Sequence, residues 1–410
     1  MAFAAAEGDN TVPNDPKAVV MALIGFLTFN VVIGSIFGSP GVLLKPMMAR
    51  LDATNPMISA ASLAVIVSSA IFAPMIGSLA VRHSLRMIVG AAAVMLSAAW
   101  LVIAFTHSYI VYLGAYFFLL GPAMAIGGSI VPPTLVTRWF NQHRGLAIGI
   151  CHLPVLVAAM PLAIAWMIAH HGLQATFFML AAIPLVVLLP ASFFIVDRPP
   201  GQQAKVDAMI ASGESHAMTI AQLLAQPRYW ALCLAVGVVN TSSTMLGVHL
   251  VSMAESWKID TMHAAGLASI MSGVGLAGSV LFGLLADRIG GARALVIIAV
   301  GDALLWASFL AGLPYAGLAA VIGLIGLMGA GAVPAMSKAF GDYFGRETFS
   351  RAIGLMVPVT LPLLFVGMIG PGTVVRMTGS YTLVVMTAVV AFCVSAMLAL
   401  YASRMKTNPA

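Results

Sequence analysis

Residues 283–293 read Gly283-Leu284-Leu285-Ala286-Asp287-Arg288-Ile289-Gly290-Gly291-Ala292-Arg293, between two long apolar runs. An echo lies 206 positions earlier, where Gly77-Ser78-Leu79-Ala80-Val81-Arg82 precedes Arg86. Working outward, Trp139-Phe140 leads through Arg144 to Ala147-Ile148-Gly149. The same order returns as Tyr343-Phe344, Arg351 and Ala352-Ile353-Gly354, at offsets of 204 and 205. His171-Gly172 returns as Thr378-Gly379 at an offset of 207. Landmarks that keep their order at half the chain length predict two copies of one unit.

The composition says what that unit is made of. Of 410 residues, 61% are hydrophobic and 8% charged, and the mean hydropathy is +1.03. A soluble domain is about 25% charged, so a water-exposed surface cannot be covered here. Soluble enzymes, collagen, disordered chains and disulfide scaffolds are excluded. The apolar runs are long and continuous rather than short and alternating, so the spans are helices and not barrel strands. Twelve runs are read, at 18–39, 56–80, 87–106, 109–136, 145–169, 174–195, 228–253, 263–286, 294–312, 315–338, 351–374 and 380–403. The expected fold is all-α integral membrane, with twelve transmembrane helices in two pseudo-symmetric six-helix halves.

The longest polar stretch, 197–227, divides them. The expected organisation is a tail (1–17), a first bundle (18–196), a linker (197–227), a second bundle (228–403) and a tail (404–410). With both termini in the cytoplasm, 15 of the 19 Lys and Arg fall on the cytoplasmic side. The other side holds Lys45, Arg50, Lys258 and Arg376. This asymmetry predicts the orientation. It also explains the net charge of +6 without nucleic acid, because the basic residues form no stripe. Glu7, Asp9 and Asp15 precede the first run, unlike the basic start of a cleavable signal. Cys151, Cys233 and Cys393 each lie inside an apolar run, which fits neither a disulfide framework nor a metal site.

The 283–293 segment resembles the loop signature G-x-L-A-D-R-x-G-x-R of the major facilitator superfamily, with one extra residue before the final Arg. The resemblance extends over essentially the whole chain. It implies that Asp287, Arg288 and Arg293 form a conformational latch, with the Asp capping a neighbouring helix. The first-half copy has Val81 in place of the Asp and Ser84 in place of a Gly. A narrower resemblance is to the monocarboxylate transporter and oxalate–formate antiporter branch. Gly41-Val42-Leu43-Leu44-Lys45 looks like its G-V-F-x-K. Arg138-Trp139-Phe140 with Arg144-Gly145-Leu146-Ala147-Ile148-Gly149 looks like its aromatic–Phe, R-x-L-A-x-G loop. Phe344-Gly345-Arg346 through Gly354 looks like the second-half counterpart. That branch implies a carboxylate substrate; the expected location is the cell inner membrane, and fold-level analogy favours a monomer. The branch often carries Arg in span eight. Here Gly275 and Ser279 stand about there, and that span has no charge before its cytoplasmic end.

Polar groups at membrane depth are costly unless paired, so each is a candidate. For substrate binding the candidates are Asn30, Lys45, Tyr116, His152, Asn240 and His249. Asn30 and Tyr116 offer donors to a carboxylate, or pack in the core. Lys45 attracts an anion at the outer end of span one, or anchors it by snorkelling. His152 takes a proton near neutral pH and faces an anion, or bonds a neighbouring backbone. Asn240 heads the polar run Asn240-Thr241-Ser242-Ser243-Thr244, with His249 two turns on. For proton coupling the candidates are His152 and Asp302, the only acid deep in a span, although span nine is peripheral in the superfamily. Gly273-Val274-Gly275-Leu276-Ala277-Gly278 matches a dinucleotide fingerprint but has no βαβ context. No Walker loop, catalytic cluster or metal spacing is present, so no enzyme activity and no cofactor are expected. The expected function is secondary transport of a small organic anion by alternating access, with protons or a counter-anion as partner and the lipid bilayer as surroundings. The alternative is efflux of amphipathic or drug-like compounds.

Overall fold

The computed structural model describes residues 16–140, 142–199 and 217–405. The interior of the expected linker (200–216) and most of both expected tails (1–15 and 406–410) lie outside the described residues, as do Lys205 and Lys406 of the charge count. Among the described residues every regular element is a helix. The first half contains α1 (Pro16–Gly38), α2 (Pro40–Leu51), α3 (Asn55–Arg82), α4 (Leu85–Phe105), α5 (Tyr109–Trp139), α6 (Arg144–Cys151) and α7 (Val155–Ile183), which runs on to Phe193. A short α8 (Ile220–Leu224) closes the linker. The second half contains α9 (Pro227–Ser256), α10 (Thr261–Ile289), α11 (Gly291–Ser308), α12 (Tyr315–Thr378) and α13 (Thr382–Arg404).

Two apolar helical stretches are too long for a single crossing. Arg144–Phe193 has 50 residues and Tyr315–Thr378 has 64, against about 20 needed to span a bilayer. Each breaks at a glycine in the positive-φ region, Gly172 (φ 81°) and Gly345 (φ 74°), where a side chain is strained. Counting each as two gives the twelve expected spans. The repeat is visible in the backbone, since Gly379 (φ 71°) stands where Gly172 stands in the first half. It is visible in packing too. Trp100 and Trp306 occupy equivalent positions 206 residues apart, and both are fully buried. Trp100 stacks on Phe177 at 6.3 Å, and Trp306 meets Phe392 at 6.3 Å, so the third and sixth spans of each half lock alike.

The halves meet through two related crossings. In one, α3 meets the second span of α12, with Gly77 against Ser350 and Ala73 against Gly354. In the other, α10 meets α6, with Gly283 against Gly145 and Ser279 against Gly149. Ala73 and Ser279 are again 206 apart. Lipid tails are as apolar as the helices, so association rests on close packing, and small residues allow it. Both crossings lie toward the face that carries Asp197, Arg198 and Met218, called here the linker face. There Arg198 pairs with Glu347 of the other half at 2.5 Å. Thr348 Oγ1 accepts from the Met218 N–H at 3.1 Å.

Candidate functional site

Between the halves, past these crossings, lies a cavity of about 600 Å³. Its first-half wall includes Phe29, Ser69, Ser129 and His152. Its second-half wall includes Asn240, Thr241, Ser243, Ser272 and Thr360. Ser279, Ser337 and Ile353 line it beside the crossings. Among the described lining residues there is no Asp, Glu, Lys or Arg, and His152 is the one titratable side chain. No grouping of three His, Cys, Asp or Glu suited to a metal ion occurs among the described residues.

His152 sits where the fifth span breaks between α6 and α7. Pro154 has no N–H to continue the helix, and α7 restarts at Val155. The imidazole Nδ1 lies 2.8 Å from the Ile148 carbonyl oxygen. A carbonyl only accepts, so the Nδ1 that faces it carries the proton in the neutral ring, and the Gly128 backbone is a further partner of the imidazole. Phe29 packs against the ring at 4.7 Å between centroids. On α5, a π-helical turn, Ala125–Ile130, places Gly128 and Ser129 on the same wall. Such turns shift side chains out of the regular helical register and recur at functional sites.

The other sequence candidates divide. Asn240 lines the cavity, and its side-chain amide makes no hydrogen bond among the described residues, while its carbonyl accepts from Thr244 Oγ1 at 2.9 Å. Thr241 also lines it, with a buried hydroxyl that lacks a partner among the described residues. His249 lies outside the lining and meets the Met368 carbonyl oxygen at 3.0 Å through Nε2. Asn30 is 1% exposed, outside the lining, and committed to backbone at Phe26, Leu153 and Leu156. Tyr116 is buried in the first-half core, edge-on to Trp100 at 6.4 Å. Lys45 is exposed on α2, away from the lining. Asp302 is 1% exposed on α11, outside the lining, and both its carboxyl oxygens lack a hydrogen-bond partner among the described residues. The structure therefore brings together His152 and Asn240, and places Asn30, Lys45, Tyr116, His249 and Asp302 elsewhere.

The 283–293 loop works across the halves. The Gly145 N–H donates to Asp287 Oδ1 at 2.7 Å, and the Leu146 N–H to Oδ2 at 3.0 Å. These are orphan donors of the first turn of α6, and a carboxylate there also meets the positive end of the helix dipole. Arg144 approaches Asp342 at 3.7 Å, and Lys338 Nζ holds both oxygens of Asp342 at 2.7 Å. Arg288 and Arg293 are exposed and form no salt bridge among the described residues. At the equivalent first-half crossing Val81 cannot cap. There the Ser350 hydroxyl donates to the Gly77 carbonyl at 3.1 Å instead.

Sequence reasoning did not single out Ser69, Ser129, Ser272 or Thr360. Ser272 and Ser279 stand two helical turns apart on one face of α10, a spacing that could have flagged them. Hydroxyls also pack between helices, which hides the signal.

Residues 20–301 match the family model of the Major Facilitator Superfamily. The chain is 23% identical over 360 residues to the uncharacterized MFS-type transporter YhjX of Escherichia coli, covering 84% of this chain and 86% of that one. It is 25% identical over 281 residues to the uncharacterized MFS-type transporter YcxA of Bacillus subtilis, covering 67% of each. The fold is similar to that of the E. coli fucose:proton symporter FucP, with a TM-score of 0.71 at 14% identity over 95% of this chain and 99% of that one.

Proposed function

The chain belongs to the Major Facilitator Superfamily and is thus a membrane transporter, and from that premise we propose that it carries a small organic monoanion together with one proton. One observation carries this reading: among the described residues the cavity lining holds no fixed charge and a single imidazole. A carboxylate leaving water needs a compensating cation. Here only protonated His152 supplies it, so anion and proton enter as a neutral pair. Nε2 takes the proton, and the free amide of Asn240 donates to the carboxylate oxygens. Four methionines, Met124, Met271, Met336 and Met356, fit the remainder of a small organic skeleton.

Both crossings lie on the linker face, so in this conformation the cavity is sealed from that side. With the termini in the cytoplasm, as the Lys and Arg asymmetry argues, this is the outward-facing form of a monomeric inner-membrane importer. Substrate and proton load, the crossings part, and the opposite end closes. The methionine lining also suits amphipathic solutes, which is the second reading.

The test is uptake of labelled lactate, pyruvate and formate into liposomes holding the purified protein. An inward proton gradient is expected to stimulate uptake, an imposed membrane potential to leave it unchanged, and His152→Gln to remove the stimulation. Uptake that needs preloaded internal anion and ignores the proton gradient would make the protein an exchanger. If no carboxylate moves while an amphipathic dye does, the second reading holds.

A further inference from the structure

We propose that Asn30 is a positioning residue for His152, holding open the break in the fifth span that presents the imidazole to the cavity. The significance of this for transport rests on the role proposed for His152. The geometry of the break stands by itself.

A helix interrupted in hydrocarbon leaves backbone groups that water cannot satisfy. At this break the Leu153 N–H reaches the Ile150 carbonyl at 3.2 Å, and the Val155 N–H turns back onto the Leu153 carbonyl at 2.9 Å. The Leu156 N–H belongs to the first turn of α7 and has no partner within its helix. Asn30 repairs both sides. Its Oδ1 accepts from the Leu156 N–H at 2.9 Å, and its Nδ2 donates to the Leu153 carbonyl at 3.0 Å. Nδ2 also donates to the Phe26 carbonyl at 3.1 Å, one turn back on its own helix, which fixes the amide plane. One buried side chain thus bonds the residue before Pro154 and the second residue after it.

His152 is the C-terminal cap of α6, with φ −99° and ψ 14°, directly before the stapled residues. Phe29, the neighbour of Asn30, packs on its ring. The two pieces of the span are held by different halves. Gly34 and Gly38 of α1 clamp α7 at Leu156 and Met160, within the first half. α6 is capped by Asp287 and pressed on Ser279, in the second half. The break is where these two attachments meet, so the amide that defines it sets the direction of the imidazole. No other titratable side chain lines the cavity among the described residues. The neighbouring Cys151 Sγ is engaged with the Ala22 carbonyl at 3.1 Å. On α5 the Gly128 backbone also meets the imidazole, so the ring has a polar partner on each side and its tautomer depends on how the break orients it.

The experiment reads the tautomer of His152, by ¹⁵N NMR of histidine-labelled protein in nanodiscs, with His152→Gln assigning the signal. The wild-type neutral ring is expected as a single Nδ1-protonated form. Asn30→Ala and Asn30→Ser are expected to give a mixture of both tautomers. Pro154→Ala returns the missing N–H and gives the span its own hydrogen bonds. The loss of Tm caused by Asn30→Ala is therefore expected to be smaller with Ala at position 154 than with Pro. Should Asn30→Ala fail to accumulate, Asn30→Ser and the Pro154→Ala background carry the same comparison. An unchanged single tautomer in the folded Asn30 variants, or an equal Tm loss in both backgrounds, overturns the proposal. Neither result depends on transport. If His152→Gln leaves proton-driven uptake intact while the tautomer responds to Asn30, the transport reading falls and the positioning role stands.

Discussion

At the scale of single residues, the cavity places one amide opposite one imidazole. Asn240 comes from α9 of the second half, and its amide is free for a ligand among the described residues. A hydrogen bond to a charged group contributes about 1.5 kcal/mol or more, which is roughly tenfold in affinity. Asn240→Leu is therefore expected to raise the KM for proton-driven carboxylate uptake about tenfold, with little change in maximal rate. That pattern marks an interaction made equally in the bound and reacting states. An unchanged KM would remove Asn240 from the site. Asn240 and Asn30 are alike in sequence in that each is the one amide of its span and lies near its middle. Their fates differ because a membrane span is apolar toward lipid and apolar toward its own core. Hydropathy therefore does not report which way a side chain turns. Tyr116 was equally ambiguous until its contact with Trp100 placed it in a core. His152 was legible as a candidate, but its tautomer needed the Ile148 carbonyl.

At the scale of elements, the spans and their repeat were legible because length and apolarity are local properties. The interruptions were less so. The π turns Tyr116–Leu120 and Ala125–Ile130 of α5, and the separate α2, follow from packing that no sequence window contains. Close packing also sets the next prediction. A Cβ on Gly149 would overlap the Ser279 carbonyl oxygen, in backbone that cannot swing aside. Gly149→Ala is expected to keep the spans but hold α6 and α10 apart on the linker face. Its readout is the rate at which an impermeant maleimide reaches Ser337→Cys from that face, which should rise. An unaltered rate would mean that the crossing does not form the seal. On α10, Asp260 caps the first turn, accepting from Met262 and His263 N–H groups at 3.1 and 3.2 Å. The backbone and ring donors of His263 hold its carboxyl below the ordinary value of about 4. A lowered folded-state value gives stability that is present above the ordinary value and lost as pH falls through the lowered one. Amide exchange at Met262 and His263, corrected for intrinsic rates, should stay slow down to about pH 4 and accelerate below it. Protection that is flat across that range would show that the carboxylate does not cap.

At the scale of the whole molecule, the two halves are related by their repeat and joined unequally. One crossing carries the Asp287 cap, and the other, with Val81 at the matching place, relies on the Ser350 hydroxyl. The chain between the halves adds a tie of its own. Arg198, at the end of the first half, meets Glu347, just past the break at Gly345, with Arg198 almost wholly buried. Under the proposed alternating access, opening the linker face breaks this pair, so the pair favours the conformation seen here. Glu347 is partly solvated, which limits the pair to about 1 kcal/mol, or roughly a fivefold change in the balance of states. Arg198→Glu replaces attraction with repulsion and should raise the open fraction by at least that factor. Glu347→Arg should do the same. The double exchange restores opposite charges and should return the balance toward wild type. Spin labels at Arg82→Cys and Arg293→Cys, both exposed near that face, report the separation of the halves directly. A longer distance population in each single variant, shrinking again in the double, is the signature of a pair acting between halves. If the double variant opens as far as the singles, the two residues act separately, and the seal rests on the glycine crossings, the Asp287 cap and the other contacts of that face.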